Sequence, residues 1–89
     1  MPILSMFYGI SVFMFDEKGE KHHRPHIHIR YGGEKCVVVI PDGEIIEGVL
    51  RSNKLKLVQA WIEIHKEELM ENWQIMLEGQ EPFKIEPLK

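Results

Sequence analysis

The sequence contains a single cysteine, Cys36, so it has no internal disulfide and fits a reducing compartment rather than the disulfide-stapled secreted class. Glycine (7) and proline (5) are too scarce for a linker-dominated or fibrous chain. Positive charge is not in excess either: 11 Lys and Arg face 14 Asp and Glu, a net charge of −3. That balance weighs against nucleic-acid binding driven by bulk charge. Residues 1–15 carry no charged side chain, yet Gly9 and Ser11 interrupt the run, which is too short to span a bilayer. It lacks the basic region and small-residue cleavage site of a signal peptide. The expectation is a cytoplasmic protein that makes no membrane contact. Repeats, a Gly-rich phosphate loop, a Ser-His-Asp arrangement and a paired-carboxylate signature are all missing.

What is present is an ordinary globular balance, 44% hydrophobic and 28% charged over 89 residues. One domain, 1–89, is all that this length builds, and its stability should be modest, roughly 5 kcal/mol. Ile10, Val12 and Met14 alternate with Ser11, Phe13 and Phe15, which predicts a first strand over about 5–15 that is apolar on both faces. Asp16 to Arg24 is a charged loop. The second strand, about 25–31, alternates: Ile27, Ile29 and Tyr31 point one way, and His26, His28 and Arg30 the other. Gly32-Gly33 is a hairpin signal, so Ile29 should pair with Cys36 and Ile27 with Val38 in a third strand over about 35–40. Pro41-Asp42-Gly43 forms a turn into a fourth strand over about 44–47.

After Gly48 the period becomes helical. Leu55, Val58, Trp61, His65, Leu69, Trp73 and Met76 fall on one face of a segment over about 53–78. Ser52 or Asn53 is the expected N-cap and Gly79 the C-terminal stop. One long helix and two shorter ones broken near His65-Lys66 both fit the spacing. Leu55, Val58, Trp61, Leu69 and Trp73 are expected in the core, and His65 at its edge, bonded to backbone. Cys36, beside three valines, reads as a small buried hydrophobe. The tail, 80–89, is extended.

The chemically capable residues cluster in His22-His23-Arg24-Pro25-His26-Ile27-His28. Alternate positions in a strand place the imidazoles of His26 and His28 on one face, with Cα atoms about 6.5–7 Å apart. Two such rings suit a divalent metal such as Zn²⁺, with His22, His23, Asp16, Glu17 or Glu20 completing the set. Proton transfer by His26 or His28, with Arg24 or Arg30 steadying an anion, is the catalytic use. The plainer reading is a solvated sheet face, and no cofactor is required.

Met6-Phe7-Tyr8-Gly9-Ile10, Arg24-Pro25-His26-Ile27-His28 with Tyr31-Gly32-Gly33, Gly43-Glu44-Ile45-Ile46-Glu47-Gly48, and Trp61…His65-Lys66-Glu67-Glu68-Leu69…Asn72-Trp73 resemble the bacterial domain of unknown function 4160 family. The resemblance implies a small stand-alone protein, often encoded beside a member of the domain of unknown function 2442 family in a toxin–antitoxin-like pairing. Where that family commonly has Asn or Asp with prolines before the Pro-His-x-His motif, this chain has Lys21-His22-His23-Arg24.

The expected fold is α+β: a three- to four-stranded antiparallel meander with the C-terminal helical segment packed on one face. Helical cover on one face leaves the other, with Val37 and Val39 beside His26, His28 and Arg30, partly open. Exposed apolar surface of that kind marks an interface. The function expected is a protein-interaction module with a protein partner or a second copy of itself. The alternative is a small metal- or His-dependent hydrolase or nuclease.

Overall fold

A computed structural model of the chain describes residues 3–15 and 24–89. Five strands, β1 (Ile3–Phe7), β2 (Ile10–Phe13), β3 (His26–Tyr31), β4 (Glu34–Val39) and β5 (Ile45–Gly48), precede one helix, α1 (Ser52–Leu77). The strands form one antiparallel sheet in sequence order, a meander with each strand beside the next. The fold class is α+β as expected, with one strand more. The difference lies in the first apolar run, which is two strands rather than one. Tyr8 (φ 51°) and Gly9 (φ 79°) both take left-handed backbone and turn the chain back on itself, so that Phe7 pairs with Ile10 and Ser5 with Val12. Two successive positive φ values make a tight turn whose twist suits a two-residue hairpin. Tyr at the first position hides that signal, because an aromatic residue seldom adopts it.

The β3–β4 hairpin follows the predicted register, with Ile29 opposite Cys36 and Ile27 opposite Val38 across Gly32-Gly33. The turn at 40–43 contains a cis Ile40–Pro41 peptide and Gly43 at φ 82°. Gly48 is fixed more tightly. Its φ is 82°, and a Cβ there would lie 2.3 Å from the Lys35 carbonyl oxygen, so only glycine lets β5 approach β4 so closely.

One face of the sheet carries Ile10, Val12, Ile27, Ile29, Cys36, Val38 and Ile40, and these join Val58, Trp61, Ile62, Leu69 and Met76 of α1 in one buried cluster. Trp61 is at the centre, its ring 5.4 Å from that of Phe7. Val58, Trp61 and Leu69 are buried as the stripe predicts, but Leu55 and Trp73 are only partly so. Asn72 is buried too, although no apolar pattern marks it. Its amide clamps the tail by donating to the Phe83 carbonyl (2.8 Å) and accepting from the Phe83 N–H (2.9 Å). Trp61 Nε1 donates to the Glu86 carbonyl (2.8 Å), and Ile85 N–H to the Leu4 carbonyl (2.8 Å). The extended tail thus ties the helix to the β1 edge.

His65 (φ −113°, ψ 21°) leaves helical geometry and kinks α1, at the position where the spacing allows a division into two. His65 bonds through Nδ1 to the Glu68 carboxylate rather than to backbone. Glu68 stands three residues beyond the break, where a carboxylate reaches back over a helix start. The N-cap is Arg51, not Ser52 or Asn53, and makes no side-chain capping bond. Instead its N–H and Nε both donate to Glu34 Oε1 (3.0 and 3.3 Å), anchoring the helix start to β4. These donors, the backbone N–H foremost, hold the Glu34 carboxyl below the usual carboxylate range. Gly79 (φ 87°) ends the helix as expected. Among the described residues, no helix is long and apolar enough to cross a membrane.

Candidate functional site

Antiparallel pairing decides which side chains share the face turned away from the cluster. Phe13 pairs with His28, His28 with Val37 and Val37 with Glu47, so these four form one row across β2 to β5. The next row holds Arg30 opposite Lys35. Together with Phe15 they line a shallow groove of about 510 Å³. No residue of α1 lines it. Val37 and Val39 are buried on this side, yet both stand outside the cluster that α1 covers.

The two histidines of the Pro-His-x-His strand have different surroundings. His26 is 1% exposed, not on a solvated face as the alternation implied. Its Nδ1 donates to the Arg24 carbonyl (2.7 Å), which makes Nδ1 the protonated nitrogen and fixes the ring. Trp73 approaches from α1 at 5.1 Å between ring centroids, and His28 stands edge-on at 5.3 Å. Trp73 is thus one of the groups that cover His26. His28 is half-buried and stacks on Phe15 at 4.2 Å, nearly parallel, with its ring on the groove wall.

Of the other candidates, Arg30 lines the groove, whereas Arg24 pairs with Asp42 (3.0 Å) at the turn between β4 and β5. His22, His23, Asp16, Glu17 and Glu20 lie outside the described residues. Among the described residues, no three His, Cys, Asp or Glu side chains come together as a metal set. Burial and the Glu34 charge push the Cys36 thiol up to about 11, so it is an inert core group, as its valine neighbours implied.

Phe13, Phe15, Lys35 and Glu47 also line the groove, although the sequence alone does not mark them as site residues. Lys35 follows directly from the Ile29–Cys36 register, one pair further along. Phe13 emerges only once the first apolar run is split into two strands. In chemical terms the groove offers an apolar floor, one imidazole, two cations and one carboxylate.

The family model described as domain of unknown function DUF4160 matches residues 9–74. The chain belongs to this family. The match spans β2 to most of α1 and includes both histidines and the whole groove. No curated protein and no solved structure matches the chain.

Proposed function

We propose that this protein is an interaction module that binds a protein partner across the open face of its sheet. The observation that carries the reading is the division of the sheet: α1 covers one face, while the other keeps a groove floored by Val37 and walled by Phe13, Phe15 and His28. Apolar surface bordered by charged side chains is the usual anatomy of an interface. On this reading the partner is encoded alongside, as in a toxin–antitoxin-like pair, and both act in the cytoplasm. Affinity capture from the native host tests this. A protein retained by the wild type should be lost with Phe13→Ser and kept with Ile64→Lys, which alters the exposed outer side of α1. Equal retention by both variants would sink the open-face reading.

The alternative is a metal- or His-dependent hydrolase or nuclease. One feature favours it: the Nδ1–H of His26 bonded to a backbone carbonyl is how ligating histidines are oriented, with Nε2 as the basic nitrogen. Elemental analysis of protein purified without a histidine tag decides between them. Stoichiometric zinc, lost on His26→Gln/His28→Gln, would favour the hydrolase.

A further inference from the structure

The groove holds two like charges directly opposite one another. Arg30 and Lys35 are cross-strand partners, both exposed, and among the described residues no carboxylate pairs with either. A like-charged pair at this spacing destabilises the sheet that bears it. In a chain with net charge −3, this concentration of positive charge on one face is local and stands against the overall balance. The apolar floor begins in the adjacent row, at Val37 between His28 and Glu47.

Resting on the interaction-module reading, we propose that the groove takes an acidic peptide segment of the partner in which carboxylates alternate with aliphatic side chains. A carboxylate seats on the Arg30 fork and the Lys35 ammonium, where charge-assisted hydrogen bonds also relieve the repulsion between them. The neighbouring aliphatic group lies against the half-buried Phe13 and Phe15 rings. The groove volume suits a few side chains rather than a folded surface.

Single-stranded nucleic acid fits less well. It needs free aromatic faces for bases and a track of cations for phosphates. Here the His28 ring already stacks on Phe15, and Glu47 closes the row beside the two cations. A second copy of the chain would have to bring carboxylates of its own to this face.

The experiment is fluorescence anisotropy of the intact chain with a short labelled peptide alternating Glu and Leu. Saturable binding is expected, weakened about tenfold or more by Arg30→Gln/Lys35→Gln. Exchanging the peptide's Glu for Lys, or its Leu for Ser, should abolish it. Circular dichroism confirms that the variant folds, and each single Gln variant provides a milder second test. No binding, or binding indifferent to Arg30 and Lys35, overturns the proposal. So does tighter binding of an oligothymidylate, or light scattering that shows self-association lost in the same variant. If the Phe13→Ser variant still loses the captured host protein while no acidic peptide binds, the peptide chemistry fails and the module reading stands. If host capture is indifferent to Phe13, the module reading itself fails.

Discussion

The two faces of this sheet share a backbone but differ in what holds their side chains. On the covered face, Val12, Ile27, Ile29 and Val38 are fully buried against Trp61 and Leu69, and the Trp61 indole N–H is bonded to the Glu86 carbonyl. On the open face, Phe13 and Phe15 are half-buried, Arg30 and Lys35 face each other, and His28 lies on an aromatic ring. The covered face is arranged for stability. The open face tolerates a repulsive pair, which a surface selected for stability alone would discard.

The largest expected effect tests the covered face. Trp61→Ala removes a fully buried indole and its bond to the Glu86 carbonyl, and should destabilise by about 3–5 kcal/mol. That rivals the roughly 5 kcal/mol available to a domain this small, so urea titration should find it largely unfolded near room temperature. Phe13→Ala, on the open face, should cost less than about 1.5 kcal/mol. Equal losses would erase the distinction between the faces.

The histidine pair sharpens it at one strand. His26→Ala removes a fully buried ring together with its bond to the Arg24 carbonyl and should destabilise by about 1–3 kcal/mol. His28→Ala loses a half-exposed stack on Phe15 and should cost about 0.5–1.5 kcal/mol. Denaturation midpoints that rank the two the other way would place the buried histidine wrongly.

This pair also shows what the sequence can and cannot reveal. Strict alternation and Gly32-Gly33 made the β3–β4 register legible residue by residue, because a one-residue slip would turn Ile27 and Ile29 out of the core. The same alternation placed His26 on the open face but not inside the protein, since part of its cover comes from Trp73 on α1, far away in sequence. Tyr8-Gly9 does not read as a hairpin turn for a local reason: the turn needs two left-handed residues, and only one is a glycine. Asn72 escaped because its role is set by the tail that it holds, and no periodicity encodes a polar clamp. The groove was half legible, as Arg30 and His28 were visible while Phe13 depended on the missed turn.

Cys36 offers a smaller test of the covered face. Its pKa is raised from 9.0 to about 11, so the folded state holds the thiol proton more firmly than the unfolded state does. The stability this confers is fully present below pH 9.0 and is lost as the pH rises through about 11. By pH 10 the loss should reach about 1 kcal/mol. Cys36→Ala removes that share of the alkaline decline, so the wild-type and variant stability curves should converge or cross between these values. Parallel curves would mean that the thiol is as accessible folded as unfolded.

The smallest expected effect bears most directly on the open face. Arg30→Glu replaces a repulsive cross-strand pair with an attractive one opposite Lys35, and Arg30→Gln removes the repulsion without adding attraction. If the pair is a cost carried by the free protein, Gln should be neutral to slightly stabilising and Glu should stabilise by about 0.2–1 kcal/mol. Both residues are exposed, so the gain should shrink as added salt screens the charges. Thermal melts at low and high salt read this directly. The same Arg30→Glu substitution puts a carboxylate where the proposed peptide's own carboxylate would seat, so binding should weaken as stability rises. Opposite signs from one substitution are what a binding surface produces, because the free protein and the complex make different demands on the same side chain. A loss of stability on Arg30→Glu that salt does not alter would show that Arg30 contributes through its aliphatic stem to the sheet, and the repulsive pair would no longer mark the open face as a site.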